Sequence, residues 1–372
     1  MMRPVRTLIG SLLLVLIASL AGAVRLGTAQ EAGKASQRSE TGIAMKKPVF
    51  GGACKICPWG SMAEVVKAAM QPYGYDVQIC YNCAGGPQAA RFVAGALMPP
   101  SITQSLSQYP ELHLAIQMPP PPNGPVDFGS TYANYAWWAY QGNHDYTGEG
   151  PRQNLRLLAN IQDPTYLIAA VRAGSAITDL RQITEKHLKV RVVATGSGAS
   201  VISAVLDYYG LTKTTLESAG GQLSTGMGVD ERKNFDVIIG FGSLDDTPEY
   251  NIWYETSQKF DLTYLQLPED LLDKLSKGFD MQRRDIPDGL LRGIDHPIPT
   301  VARTGNVIYG RADMPDDFAY TVAKAMDEQQ DLLQWTNGSL NFSYNIHNVW
   351  KAFGLPLHPG AAKYYRERGY MN

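Results

Sequence analysis

One stretch of the sequence decides the fold class: Leu188-Lys-Val-Arg-Val-Val-Ala-Thr-Gly-Ser-Gly-Ala-Ser-Val-Ile-Ser-Ala-Val-Leu-Asp-Tyr-Tyr-Gly210. Val190 to Ala194 predict a β-strand, and from Ser200 onward apolar residues recur at helical spacing. The Gly-rich turn 195–199 between them directs free backbone N–H groups, at the positive end of a helix dipole, beyond the end of the strand. The turn therefore predicts a binding site for a carboxylate or phosphate, although α/β folds also use such turns without a ligand. It lacks the sequence of a nucleotide-hydrolase loop and of a dinucleotide fingerprint.

Composition limits the number of domains and the classes of partner. The chain has 372 residues, of which 44% are hydrophobic and 18% charged, enough for two domains with substantial cores. The formal net charge of −2 provides no basic surface for a phosphate backbone, which argues against a nucleic-acid partner.

The N-terminus carries an export signal. Arg3 and Arg6 precede an apolar run that ends in Ala21-Gly-Ala23, the pattern of a cleaved secretory signal peptide over residues 1–23. The run is short for a membrane span, which needs about 20 apolar residues, but an uncleaved anchor is the alternative. Residues 24–46 are polar and predict a linker. We therefore expect a soluble periplasmic protein.

All four cysteines lie in two C-x-x-C pairs, Cys54, Cys57 and Cys80, Cys83. Two such pairs about 20 residues apart are typical of a zinc ribbon. An exported chain meets an oxidising compartment, however, and this favours two disulfides. A metal site and free redox pairs remain alternatives, and the connectivity is open.

The segment between the pairs predicts a helix followed by a strand. Ser61 and Glu64 have the spacing of a capping box at a helix start. Each cysteine pair would then lie in a loop after a strand, and the two loops would be neighbours at one edge of the sheet. Later stretches predict strands at 155–161 and 165–172, joined by a turn at Asp163-Pro164.

Short strands alternate with helices along the chain, which predicts an α/β fold with mainly parallel sheets. Ligands of such folds bind beyond the carboxyl ends of the strands. The aromatic block Tyr132 to Tyr140 predicts either a packed helix or a wall of that cleft.

Several motifs, taken in order, resemble the TAXI family, the solute-binding proteins of one class of TRAP transporters. They are Ser101-Ile-Thr-Gln-Ser105, Ala176-Ile-Thr-Asp-Leu180, the strand and turn 190–200, Ile286-Pro-Asp-Gly289 and Leu357-His-Pro-Gly-Ala-Ala-Lys-Tyr-Tyr365. The resemblance covers about residues 47–370.

The resemblance implies a two-lobed periplasmic binding protein type II fold, with a ligand cleft between lobes joined by crossover strands. One lobe would comprise 47–168 and 300–372, and the other 169–299. A monomer would capture a small organic anion, of the amino acid or dicarboxylate type, and deliver it to TRAP membrane subunits. No cofactor and no catalysis are implied.

The candidate ligand contacts lie in the polar loops at the strand ends. They are Lys55, Ser61, Gly85, Gln104, Ser105, Thr195, Ser197 and Gly198. The six histidines are scattered and no hydrolase motif is present, which agrees with a receptor. His358 is predicted to hold the C-terminal turn. The competing hypothesis is an exported redox or zinc-binding protein that uses the two cysteine pairs.

Overall fold

A computed structural model describes residues 47–51, 58–81, 83, 85–96, 125–194, 200–225, 233–242, 252–333 and 344–372. Within these ranges the strands are β1 (Val49–Gly51), β2 (Gln78–Cys80), β3 (Phe128–Tyr132), β4 (Leu155–Arg172), β5 (Arg191–Ala194), β6 (Gln222–Ser224), β7 (Val237–Gly242), β8 (Leu262–Tyr264), β9 (Gln282–Ile286) and β10 (Ile298–Arg311). No helix in these ranges has both the length and the apolar character needed to cross a membrane.

The helices alternate with the strands, as the apolar spacing predicts. They are α1 (Pro58–Met70), α2 (Pro87–Val93), α3 (Ala133–Gln141), α4 (Arg181–Glu185), α5 (Ser200–Tyr209), α6 (Lys213–Ser218), α7 (Ile252–Lys259), α8 (Glu269–Gly278), α9 (Asp316–Glu328) and α10 (Pro359–Glu367). Two 3₁₀ turns, Gln71–Tyr73 and His144–Tyr146, lie among these elements.

The strands form one mixed sheet in the order β2-β1-β3-β10-β4-β7-β5-β6, with β8 added to β4 and β9 added to β10. Parallel pairs occur at both ends of this order, β2-β1-β3 and β7-β5-β6. The central pairs are antiparallel. The prediction of a mainly parallel sheet therefore holds only for the two ends of this order, because the centre and the added strands β8 and β9 pair antiparallel.

The two long strands belong to both halves of the sheet. Of the strands named above, the first half of β4 pairs with β10, and its second half also pairs with β7 and β8. Likewise, β10 pairs with β9 near its start and with β3 near its end. The two-lobed α/β fold with crossover strands is thus confirmed. We call the zone where β4 and β10 change partners the junction; the domain boundaries at 168/169 and 299/300 stay a prediction.

The junction is marked by a bulge. The register of β10 against β4 shifts between Thr304 and Asn306, and Gly305 between them has a φ of +80°. The predicted turn at Asp163-Pro164 is wrong, because β4 runs through it as one strand of 18 residues. Pro164 still pairs with Thr304, directly beside the bulge, where the loss of one N–H is tolerated.

The two predictions about the starts of helices had different outcomes. The capping box at Ser61 and Glu64 is wrong, because α1 already begins at Pro58. Ser61 is buried, and the carboxylate of Glu64 accepts a hydrogen bond from Tyr81. The prediction for His358 is confirmed: its Nδ1 caps α10 by accepting a hydrogen bond from the N–H of Gly360 at 3.2 Å.

Candidate functional site

Arg303 lies at the junction, two residues before the bulge glycine of β10. Its side chain is only 6% exposed. Its guanidinium carbon lies 3.7 Å from the ring centroid of Phe241 and 4.5 Å from that of Tyr132. Phe241 is near the carboxyl end of β7 and Tyr132 ends β3. Arg303 therefore contacts the strand ends of both lobes, where ligands of α/β folds bind.

The donors of Arg303 are incompletely used. Nη2 donates to the hydroxyl of Tyr135 at 3.0 Å, but the buried Nε has no partner, and no carboxylate pairs with this side chain among the described residues. A guanidinium carries five N–H donors, and a buried charge without an anionic partner is costly. An anion from outside the described residues would satisfy these donors.

Other buried polar atoms without a partner belong to residues that neighbour Tyr132 in space, in sequence or across the sheet. Trp59 Nε1 is one, and the Trp59 ring lies 5.3 Å from that of Tyr132. The amide of Asn134, two residues after Tyr132, has neither atom bonded, and the Oδ1 of Asn306, which pairs with Tyr132 across the sheet, is also unbonded. Buried polar atoms without partners are rare in proteins and often mark a site for water or ligand.

The aromatic block supplies part of this site and part of the core. Tyr132 and Tyr135 contact Arg303, whereas Trp138 is fully buried in the core. Burial raises the pKa of Tyr135, and the positive charge of Arg303 acts in the opposite direction, so its hydroxyl is neutral at pH 7. The core-helix interpretation of the block is therefore confirmed for Trp138, and its interpretation as a site wall stays a prediction.

The predicted ligand contacts fall mostly outside the described residues. Those outside are Lys55, Gln104, Ser105, Thr195, Ser197 and Gly198. Gly85 lies in the turn before α2, and its neighbour Gly86 (φ +58°) faces the rings of Tyr135 and Trp59. Ser61 is buried in α1, two residues after Trp59. Both described candidates are thus close in sequence to residues at the Arg303 site, Gly86 and Trp59. Their role as ligand contacts stays a prediction.

The start of α5 already carries an acidic side chain. Ser200, the first residue of the helix, donates its hydroxyl to Asp145 Oδ2 at 2.8 Å. Asp145 comes from the 3₁₀ turn that follows α3, in the other lobe. A carboxylate at a helix N-terminus is favoured by the helix dipole. The chain therefore places one of its own anions beside the turn that the sequence predicts to bind an anion.

A second contact joins the lobes on the same side. Trp138 Nε1 donates to Asp280 Oδ2 at 2.7 Å, and the His144 ring lies 4.3 Å from that of Trp138 and 5.2 Å from that of Phe279. Partial burial lowers the pKa of His144, although the nearby charges of Asp280 and Asp145 act in the opposite direction. Packing of a neutral imidazole thus holds the two lobes against each other here.

Cys80 and Cys83 form a disulfide, with Cα atoms 5.5 Å apart. Both residues are buried. The connectivity of this pair, which the sequence leaves open, is therefore within one motif. Burial shields its sulfurs from exchange with a partner thiol. Cys54 and Cys57 lie outside the described residues.

A cavity of about 360 Å³ lies elsewhere, at the opposite edge of the first lobe. Its lining includes Pro48, Asp127 and Arg311, which adjoin the amino ends of β1 and β3 and the end of β10. Ligands of α/β sheets bind at the other edge, beyond the carboxyl ends. Among the described residues, no group of three or more His, Cys, Asp or Glu side chains is placed to hold a metal ion.

Residues 122–369 match the NMT1-like family. The chain belongs to this family. The matched region of the NMT1-like chain includes Tyr132, Phe241 and Arg303, three of the residues that meet at the junction.

Solved structures with a similar arrangement are distant in sequence. Lactococcal OpuAC, in a closed form with glycine betaine, is 12% identical, with a TM-score of 0.39 over 87% of this chain and 96% of its own. ProX from Borrelia burgdorferi is 11% identical, with a TM-score of 0.40 over 86% and 100%. A TctC solute-binding protein from Polaromonas is 11% identical, with a TM-score of 0.39 over 88% and 100%. At these values the function of the NMT1-like chain has to be argued from its own residues.

Arg303 itself was missed in the sequence. One signal was present: it is the only charged residue in the extended apolar stretch 298–310, and a glycine follows two positions later. A charge in an otherwise apolar strand is expensive unless something pairs with it. Spacing along the chain does not indicate that Tyr132 and Phe241, from two different lobes, meet on it.

Proposed function

We propose that this protein is an extracytoplasmic solute-binding receptor without catalytic activity, which captures a small organic anion at the junction between its lobes. The observation that carries the proposal is Arg303, a buried cation whose Nε has no partner and which contacts strand ends from both lobes. An anion bound there would satisfy the guanidinium and hold the lobes together through the same residue.

Calorimetry with a panel of organic acids tests the proposal. We expect one acid bound per chain, and we expect Arg303→Met to weaken that binding at least about 30-fold, because a buried charged hydrogen bond contributes about 2–5 kcal/mol. Arg172→Met is the matched control, since Arg172 also lies against aromatic rings but outside the junction, and its affinity should stay within about twofold of wild type. Absence of binding across amino acids, dicarboxylates and monocarboxylates would reject an organic anion as the solute.

We further propose that the loaded receptor delivers its solute to TRAP membrane subunits. This delivery is supported by the TAXI-like motifs, above all the C-terminal stretch 357–365 that caps and begins α10. Uptake by vesicles that contain TRAP subunits should require both the loaded receptor and an ion gradient. Uptake driven by ATP through an ABC transporter would reassign the membrane partner and leave the receptor role intact.

The exported redox or zinc-binding alternative has a direct test. Under the receptor hypothesis, thiol titration of the unfolded, unreduced chain should find no reactive sulfur, and elemental analysis should find no stoichiometric zinc. The buried Cys80–Cys83 disulfide supports a structural role for that pair. Stoichiometric zinc, or rapid reduction of the folded chain by a small dithiol, would favour the alternative.

A further inference from the structure

The chemistry of the Arg303 site narrows the class of solute, and this step rests on the function proposed above. The site is made of aromatic rings, one cation and unpaired donors. The contributing side chains come from α1, β3, α3, β7 and β10, so both lobes take part. What these groups offer a ligand follows from their charge, their shape and their hydrogen-bonding capacity.

The charge of the site favours one negative charge on the ligand. Among the described residues, Arg303 is the only cationic side chain that lies over the rings of Tyr132, Tyr135 or Phe241. A second carboxylate buried against these rings would find no further cation over them among the described residues, which is unfavourable. A dicarboxylate or a glutamate-like solute is therefore a poor match to the described part of the site.

The shape of the site favours a flat ligand. The rings of Trp59 and Tyr132 lie edge to face, with centroids 5.3 Å apart, and those of Tyr132 and Tyr135 are 6.0 Å apart and tilted. Trp59 and Phe241 are only partly buried, so their rings retain surface that a ligand can contact. Aromatic ring surface of this kind favours contact with a planar unsaturated group over a tetrahedral chain.

The hydrogen-bonding groups favour a carboxylate. Arg303 Nε and Trp59 Nε1 are both buried donors without partners, and both side chains lie against the same ring, that of Tyr132. Two unpaired donors beside one ring match the two oxygens of a carboxylate better than the single oxygen of an alcohol or ketone.

We infer that the solute is a monocarboxylate on a flat aromatic or conjugated skeleton. Its carboxylate accepts hydrogen bonds from Arg303 and Trp59, and its ring packs among Tyr132, Tyr135 and Phe241. Phe241 comes from the second lobe and Tyr132 from the first, so such a ligand contacts both lobes through its ring as well as through its charge.

Paired ligands provide the first test by calorimetry on the purified exported chain. Benzoate and cyclohexanecarboxylate carry the same charge and similar carbon skeletons and differ mainly in flatness. We expect benzoate or its conjugated relative cinnamate to bind about fivefold or more tightly than the saturated acid, and at least about tenfold more tightly than succinate or glutamate. Equal or tighter binding of succinate or glutamate would overturn this inference and leave the receptor function standing. Absence of binding by every acid would overturn both.

Matched variants provide the second test. Phe241→Leu should weaken benzoate binding about three- to tenfold, whereas Phe260→Leu, a partly buried ring over Arg172, should leave it unchanged. Trp59→Phe, which keeps a ring and removes the donor, should weaken it about tenfold. Trp350→Phe removes a comparable unpaired buried donor away from the junction and should have no effect. Equal effects within each pair, with all four variants folded by circular dichroism, would overturn the assignment of the ligand to these rings.

Discussion

Arg172 and Arg303 have similar surroundings and different hydrogen bonds. The guanidinium carbon of Arg172 lies 3.4 Å from the ring centroid of Phe260 and 4.2 Å from that of Phe235. Its Nε and Nη2 donate to the backbone carbonyls of Phe235 and Lys233, at 3.2 Å and 2.8 Å. Arg303 has rings at comparable distances but keeps a buried Nε without a partner.

The difference separates an arginine that stabilises the fold from one that is available to a ligand. Aromatic rings over a guanidinium are common packing and do not indicate a site by themselves. Donors that backbone carbonyls already satisfy contribute to stability. Donors that are buried and unmatched cost stability in the free protein, and at the junction, beside a buried cation, they are the basis of the proposed anion site.

The largest expected effect concerns the bulge that positions Arg303. An added Cβ at Gly305 would lie 2.4 Å from the carbonyl oxygen of Ile161, and its φ of +80° disfavours any other residue. Gly305→Ala should therefore lower the free energy of unfolding by about 2–5 kcal/mol, as the sum of backbone strain and overlap. Urea unfolding followed by fluorescence measures it.

Gly289→Ala is the matched control for the bulge. Gly289 has a similar φ of +72° but open space around the added Cβ, so only the strain of about 1–2 kcal/mol applies. Equal losses for the two variants would show that the close approach at Gly305 does not fix the register of the crossover strands.

The next largest effect is on the free energy of unfolding, which should differ between variants of Arg172 and Arg303. Arg172→Met should lower the free energy of unfolding by about 1–2 kcal/mol, because two carbonyl hydrogen bonds and the ring contacts are lost. Arg303→Met removes a buried charge without an anionic partner and should leave the free energy of unfolding within about 1 kcal/mol of wild type, or raise it. Urea unfolding without ligand measures both. A large loss for Arg303→Met would place it with Arg172 as a structural residue.

The smallest expected effect is the contribution of His144 to the pH dependence of stability. Burial lowers the pKa of His144 below its ordinary value of 6.5, so the folded state favours the neutral ring more than the unfolded state does. The unfolded chain then binds more protons as the pH falls below about 6.5, and stability is lost in that range. His144→Asn, which tolerates the positive φ of 48°, should reduce the fall in melting temperature between pH 7 and pH 5.5.

A second histidine, the buried His358, contributes to the acid-dependent fall in melting temperature. Burial also lowers the pKa of His358, so part of the acid-dependent fall should persist in the His144 variant. A profile that is identical in wild type and His144→Asn would remove His144 from the contact between the lobes.

Much of the fold is predictable because local patterns carry it. The strand of residues 191–194 and the helix from Ser200 follow from β-branched and helical spacing, and the cap at His358 follows from its Pro-Gly context. The turn expected at Asp163-Pro164 was wrong because proline normally interrupts a strand, whereas here it lies beside a bulge in the partner strand. The error at Ser61 has a similar cause, since tertiary packing buries a residue whose local pattern suits a helix start.

The sequence by itself determined the alternation of strands and helices, the chemistry of the polar turns and the position of the cysteine pairs, because these depend on neighbours along the chain. Only the tertiary structure brought Arg303 of β10 between Tyr132 of one lobe and Phe241 of the other. Residues so far apart in sequence meet because β4 and β10 run through both halves of the sheet, and this pairing is set by long-range packing.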